Sequence, residues 1–200
     1  NANDYTFTPY RNGTSIDQHS PLSDRVTSLY AGNKGAFWVG YGEGAAFSHF
    51  HPDTLTFEHF ILPGVHRSAA VVGFLEEPNG DLYVAVDGPG VYFKPHEGRI
   101  RRWSEGLPAM EPIRSTSLTR DSSGQIILTT QSHGVYIKSA GEESFKKHPI
   151  HSKSSADTLN ESFTANVDAS GNLWLGTTSG VAIYTPSNDV FWQTQFNSPL

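Results

Sequence analysis

The sequence predicts an all-β protein built from four copies of one small antiparallel sheet. Two series of glycines carry that prediction. Gly35, Gly80, Gly124 and Gly171 step by 45, 44 and 47 residues, and Gly44, Gly90, Gly134 and Gly180 step by 46, 44 and 46. Paired landmarks that hold their spacing over four copies mark a repeat architecture. Composition agrees: 200 residues with 19 glycines, 12 prolines and 12% aromatic content suit many short strands joined by tight turns. No segment holds a 3.6-residue apolar period, so a helical solenoid is excluded.

Each copy reads as four strands. The first is an apolar run: RVTSLYA, AVVGFLE, RSTSLTR and SFTANVD. A turn follows, clearest in EEPNGD, RDSSGQ and DASGNL, where Asp, Asn or Ser caps its own backbone and Gly takes positive φ. The second and densest strand is FWVGY, LYVAV, IILTT or LWLGT. Its tolerance for apolar residues on both sides requires a neighbouring sheet on each face. The small residue after each aromatic-aliphatic pair (Gly40, Ala85, Thr129, Gly176) fits crowding near a common axis. After a small polar corner comes a third strand such as GVYFKP or GVAIYTP. The fourth (LTFEHFIL, GRIRRWS, SFKKHPI, VFWQTQF) alternates polar and apolar residues, as an outer strand half in water does.

Units of 40–50 residues with four strands, packed face to face around an axis, define a β-propeller. The expected divisions are an N-terminal segment at 1–24 carrying one extra outer strand, Tyr5–Tyr10, then blades at 25–62, 69–105, 113–150 and 162–197. Trp38, Tyr83, Ile127 and Trp174 share one aligned position and are expected in the core. Trp103 and Trp192, on outer strands, are expected to be more exposed.

The pattern of valine-bearing strand, Asp/Asn-Gly turn, LWLGT, corner, and Gly-led aliphatic-aromatic strand resembles the two-component regulator propeller repeat. The best match is NVDASGNLWLGTTSGVAIYTP at 166–186, with AGNKGAFWVGYGEGAAFSHF at 31–50 next. In the middle copies Tyr83 and Ile127 replace the tryptophan. The resemblance implies an extracytoplasmic, periplasmic sensor region of a bacterial receptor. The cytoplasmic side of such receptors carries a histidine kinase, a hybrid kinase-regulator or a diguanylate cyclase, whose signatures this sequence lacks. It also implies a ring of about seven blades, so four blades and a spare strand form an incomplete arc. The apolar faces of its end blades are expected to drive self-association.

The composition narrows the chemistry. A net charge of −6 and a single basic cluster, RIRRW, argue against nucleic acid as a partner. The absence of cysteine removes disulfides and thiol nucleophiles. No stretch approaches the length of a membrane span, so the membrane is expected only through segments outside this sequence. No cofactor, resident metal or catalytic residue is expected. His49 and His51 share a strand face, as a zinc pair would, but no third donor stands at a recognisable spacing.

Propeller ligands sit where outer-to-inner connections and middle corners emerge. The candidate ligand-binding residues are therefore Asp24, Arg25, Tyr41, Glu43, His66, Arg67, Asp87, Glu111, Arg114, Gln131, His133 and Glu161. This polar set, mixed in sign, suits an oligosaccharide or a peptide. The leading expectation is a non-catalytic sensor module. The alternatives are a propeller lyase or glycosidase using the level of Arg25, Arg114 and Glu161, and a protein-interaction platform.

Overall fold

Four times the chain crosses the same short distance and folds back on itself, each time because the residues after a crossing demand a turn. The computed structural model describes residues 7–13, 17–108, 112–148, 150–151, 158–159, 162–178, 180–185 and 190–194. The first sheet is β1 (Val26–Ala31), β2 (Phe37–Tyr41), β3 (Ala46–His51) and β4 (Thr56–Ile61). The second is β5 (Val71–Glu76), β6 (Leu82–Gly88), β7 (Gly90–Lys94) and β8 (Arg101–Trp103). The third is β9 (Ile113–Arg120), β10 (Ile126–Thr130), β11 (Val135–Lys138) and β12 (Lys146–His148). A two-stranded ladder of β13 (Ile150–His151) and β14 (Thr158–Leu159) intervenes. The fourth sheet is β15 (Ser162–Val167), β16 (Leu173–Thr177), β17 (Gly180–Thr185) and β18 (Val190–Thr194).

Within each sheet successive strands pair antiparallel, and the sheets curl together as an open arc of a β-propeller. Both glycine series are explained by the backbone. The turn glycines have φ of 77°, 88°, 85° and 82°, and the corner glycines 84°, 95°, 81° and 113°. L side chains rarely occupy that region, so the landmarks persist where other residues drift.

The second strands present rows of side chains to the neighbouring blades. Trp38 packs with Phe74, Leu82 and Val84 of the second blade. Tyr83 joins Leu118, Ile126 and Leu128 of the third, and Ile127 joins Ala165, Leu173 and Leu175 of the fourth. Burying one such side chain fully contributes roughly 1.5–3 kcal/mol. Trp174 holds the equivalent position but is 43% exposed, against 3% for Trp38. Among the described residues no following blade covers it, so its expected core role is corrected. Trp103 departs the other way and is only 6% exposed. It faces the third blade, packing with Tyr83 and Phe145, while the neighbouring Arg101 lies over its ring at 4.9 Å.

Hydrogen bonds from a Thr-Ser pair reinforce two of the interfaces. Thr27 Oγ1 and Ser28 Oγ both donate to the Val71 carbonyl, at 2.7 and 2.9 Å. Thr116 Oγ1 donates to the Ser162 carbonyl at 2.9 Å, and Ser117 Oγ accepts from the Ala165 amide at 3.0 Å. The middle interface lacks such a Thr-Ser pair and uses backbone pairing instead. There Asp87 and Gly88 of β6 oppose Arg114 and Ile113 of β9, merging the second and third blades into one sheet.

The expected N-terminal outer strand is described only from residue 7, and residues 7–13 carry no strand pairing. Further along, this segment fastens to β4. The Phe57 amide donates to the Gln18 carbonyl at 2.7 Å, and Tyr10 packs edge-on against Phe50 and Phe57.

Candidate functional site

Two regions gather polar side chains, at opposite ends of the blades. The first is the rim where inner strands begin and middle corners turn. One backbone bond recurs there: the Gly42, Asp87 and Gln131 amides donate to the Arg25, Ala70 and Arg114 carbonyls at 2.8, 2.9 and 2.8 Å. This bond fixes each corner beside the start of its own inner strand. The aliphatic part of Arg25 lies directly over Gly42, where a Cβ would come within 2.8 Å of Arg25 Cδ. Arg114 Nη1 donates to Gln131 Oε1 at 3.1 Å.

Asp24, Arg25, Glu43, His66, Arg67 and Arg114 are exposed on this rim, and Asp87, Gln131 and His133 are partly so. Several are engaged locally. Asp24 Oδ1 accepts from the Asn12 amide at 2.7 Å, and Glu43 Oε1 accepts from Ser23 Oγ at 2.9 Å. His66 Nδ1 pairs with Ser68 Oγ at 2.8 Å, and His133 Nδ1 with Ser132 Oγ at 3.1 Å. Glu111 and Glu161 lie outside the described residues.

Tyr41 is wholly buried and offers no surface to a ligand. Its hydroxyl lies 2.9 Å from Ser48 Oγ, which lies 2.8 Å from His59 Nδ1. His59 Nε2 must donate to the Asp17 carbonyl at 2.8 Å, because a carbonyl only accepts. Burial pushes the Tyr41 hydroxyl pKa above its ordinary value.

The second region was not expected. At the opposite end, a cavity of about 460 Å³ opens between the first and second blades. Its wall on the first blade consists of Trp38 from β2, His49 and His51 from β3, and Glu58 from β4. The second blade contributes Glu76, Lys94 and His96. Register explains the first wall. His49 and His51 project to one face because strand side chains alternate. Cross-strand pairing sets Trp38 and Glu58 on either side of His49.

The His49 imidazole stacks on the Trp38 indole at 4.0 Å and 13°, and His51 meets its edge at 4.4 Å. Trp38 Nε1 donates to Glu76 Oε2 at 3.1 Å, and the Asn33 amide donates to the same oxygen at 2.8 Å. The indole that orients His49 is thereby anchored to the second blade. Lys94 Nζ sits 4.9 Å from the Phe60 ring centroid, above the same aromatic floor.

Burial, reinforced by the adjacent His51, lowers the His49 pKa to about 4, so its ring is neutral near pH 7. His49 Nε2 is nevertheless buried with no hydrogen-bonding partner among the described residues. An unsatisfied buried polar nitrogen costs about 1–3 kcal/mol, so such groups call for an explanation. His49 Nδ1 or Nε2, one His51 nitrogen and a Glu58 oxygen lie within 4.8 Å of one another. Linear spacing shows only the histidine pair, and Glu58 arrives by hairpin register. The legible signal was the four-residue turn after HFH, which sets His51 against Thr56 and His49 against Glu58.

The described residues form an arc of a β-propeller that carries polar side chains along one rim. No family model matches the chain, and no curated protein matches it. Solved structures do share the fold. The extracellular domain of BT3049 from B. thetaiotaomicron, assigned to a hybrid two component system, matches with a TM-score of 0.77 at 17% identity. That match covers 100% of this chain and 25% of the other. The extracellular domain of BT4673 from the same organism, assigned likewise, gives a TM-score of 0.69 at 20% identity, covering 87% of this chain and 22% of that one. Virginiamycin B lyase from Staphylococcus aureus gives 0.70 at 14% identity, covering 90% and 58%. The chain thus spans a quarter or less of the two extracellular domains, and at these identities the likeness is one of fold.

Proposed function

We propose that this chain is part of a non-catalytic, extracytoplasmic sensor propeller of a bacterial two-component receptor. One observation carries the reading: the four-blade arc superimposes over its whole length on a quarter of an extracellular domain assigned to a hybrid two component system. On this reading the rim of Arg25, Arg67, Asp87, Arg114 and Gln131 receives an oligosaccharide or peptide. Binding is relayed through a membrane helix to a cytoplasmic kinase or cyclase carried elsewhere in the receptor. The periplasm is the expected compartment.

The open ends support the incomplete-arc part of the reading. On the first blade Val26, Leu29 and Phe37 are 45%, 69% and 41% exposed, and on the fourth Phe163 and Trp174 are 46% and 43% exposed. In a longer propeller further blades cover these faces. In the isolated chain they are the surfaces through which copies self-associate.

Thermal-shift screening of oligosaccharides and peptides tests the binding role, because a ligand selective for the folded state raises its melting temperature. The expected result is a shift that Arg25→Ala, Arg67→Ala or Arg114→Ala abolishes without loss of fold. Ligand turnover that depends on Arg25 or Arg114 would refute the non-catalytic reading in favour of a lyase or glycosidase.

A further inference from the structure

We infer that His49, His51 and Glu58 form a binding site for one divalent transition-metal ion, with Zn²⁺ as the natural probe. This inference stands apart from the sensor reading, since it needs only the β3–β4 register and the cavity beside it.

Three features converge. The donor set is two imidazoles and one carboxylate, the borderline combination that binds Zn²⁺ and its first-row neighbours. The three donor atoms already lie within 4.8 Å of one another. Tetrahedral bonds of about 2.0–2.1 Å place donors about 3.3 Å apart, so small side-chain rotations close the site. Finally, His49 Nε2 is buried without a partner among the described residues, and a metal lone-pair acceptor satisfies it where no protein donor does.

The surroundings supply what a functioning site requires. Trp38 stacks on His49 and is itself held by Glu76, so this ligand is oriented by a packed ring and an outer hydrogen bond. Glu58 is exposed, which leaves it free to swing inward. Glu76 adds a second carboxylate beside the site, offsetting the ammonium of Lys94. Three protein ligands leave an open coordination position, and the adjoining cavity provides room for it. A bound ion would therefore be accessible to an exogenous ligand rather than sealed.

Isothermal titration of the purified chain with Zn²⁺ alone tests the assignment, with Co²⁺ absorption reporting coordination geometry. One saturable ion per chain is expected. His51→Ala and Glu58→Gln, both at sites outside the core, should each weaken binding by more than about 10-fold, the lower end of what even outer-shell losses cost. His19→Ala, on the exposed N-terminal segment outside the cavity, should leave binding unchanged. Circular dichroism confirms that each variant folds. His49→Gln should abolish binding, and if it fails to fold the two milder variants decide the question. Absence of saturable Zn²⁺ binding, or binding that survives both His51→Ala and Glu58→Gln, overturns the inference.

Discussion

Replacing Gly40 by alanine tests the packing of the blades most directly. A Cβ at Gly40 would lie 2.2 Å from Ser28 Oγ, 2.8 Å from Val71 Cγ1 and 2.8 Å from the Val71 carbonyl oxygen. That carbonyl belongs to the second blade's inner strand and already accepts from Thr27 and Ser28. The added methyl must therefore turn Ser28 away and push two blades apart. Overpacking of this kind costs about 1–3 kcal/mol. The lost hydrogen bond adds about 0.5–1.5 kcal/mol. Together a destabilisation of about 1.5–4.5 kcal/mol is expected.

Gly176→Ala is the internal control. It occupies the same position in the fourth blade, where the only near atom among the described residues is Thr164 Cγ2 at 3.0 Å, a side-chain methyl. The change should fall within about 1 kcal/mol, since the unfolded chain also loses about 0.4–1 kcal/mol of conformational freedom. Urea denaturation midpoints at a common slope measure both. If Gly40→Ala costs no more than Gly176→Ala, crowding between the first two blades is not what keeps that position small.

Three further outcomes are expected. Burial, with help from the charges of Glu77 and Asp81, pushes the Tyr83 hydroxyl up to about 12. Between pH 10 and 12 the unfolded chain releases this proton and the folded chain keeps it, so stability holds below pH 10 and falls as pH rises through that window. Tyr83→Phe should flatten the alkaline decline in the unfolding free energy from urea denaturation by up to roughly 3 kcal/mol. Asp168 accepts hydrogen bonds from Trp174 Nε1 and the Asn172 side chain, which hold its carboxyl down at about 2. Its contribution is present above the unfolded value of 3.8 and is lost as pH falls through about 2, and Asp168→Asn should remove that acid dependence of the melting temperature. Leu29→Glu and Trp174→Glu should each reduce self-association in sedimentation velocity, and a native chain that stays monomeric at every concentration refutes the role of the open ends.

Local chemistry explains why so much of the fold was legible. Positive-φ glycines at eight fixed places, Asx turns and period-two alternation are short-range features, so they survive in the linear text. The small residues at Gly40, Ala85, Thr129 and Gly176 were legible for the same reason, because repetition lines up positions that feel the same environment. The Thr27-Ser28 and Thr116-Ser117 pairs were also visible, but only coordinates show that their hydroxyls cross to the next blade.

The amino-acid order by itself determined four copies of a four-stranded antiparallel unit and their turns, because each follows from spacing within one copy. Tertiary structure decided which copies have neighbours, and so why Trp38 is buried while Trp174 stands open at the end of the arc. It also decided that Glu58 meets His49 and His51, and that Glu76 anchors the indole beside them. Contacts across a hairpin or between blades depend on register and stacking, and neither is written in the separation of residues along a chain.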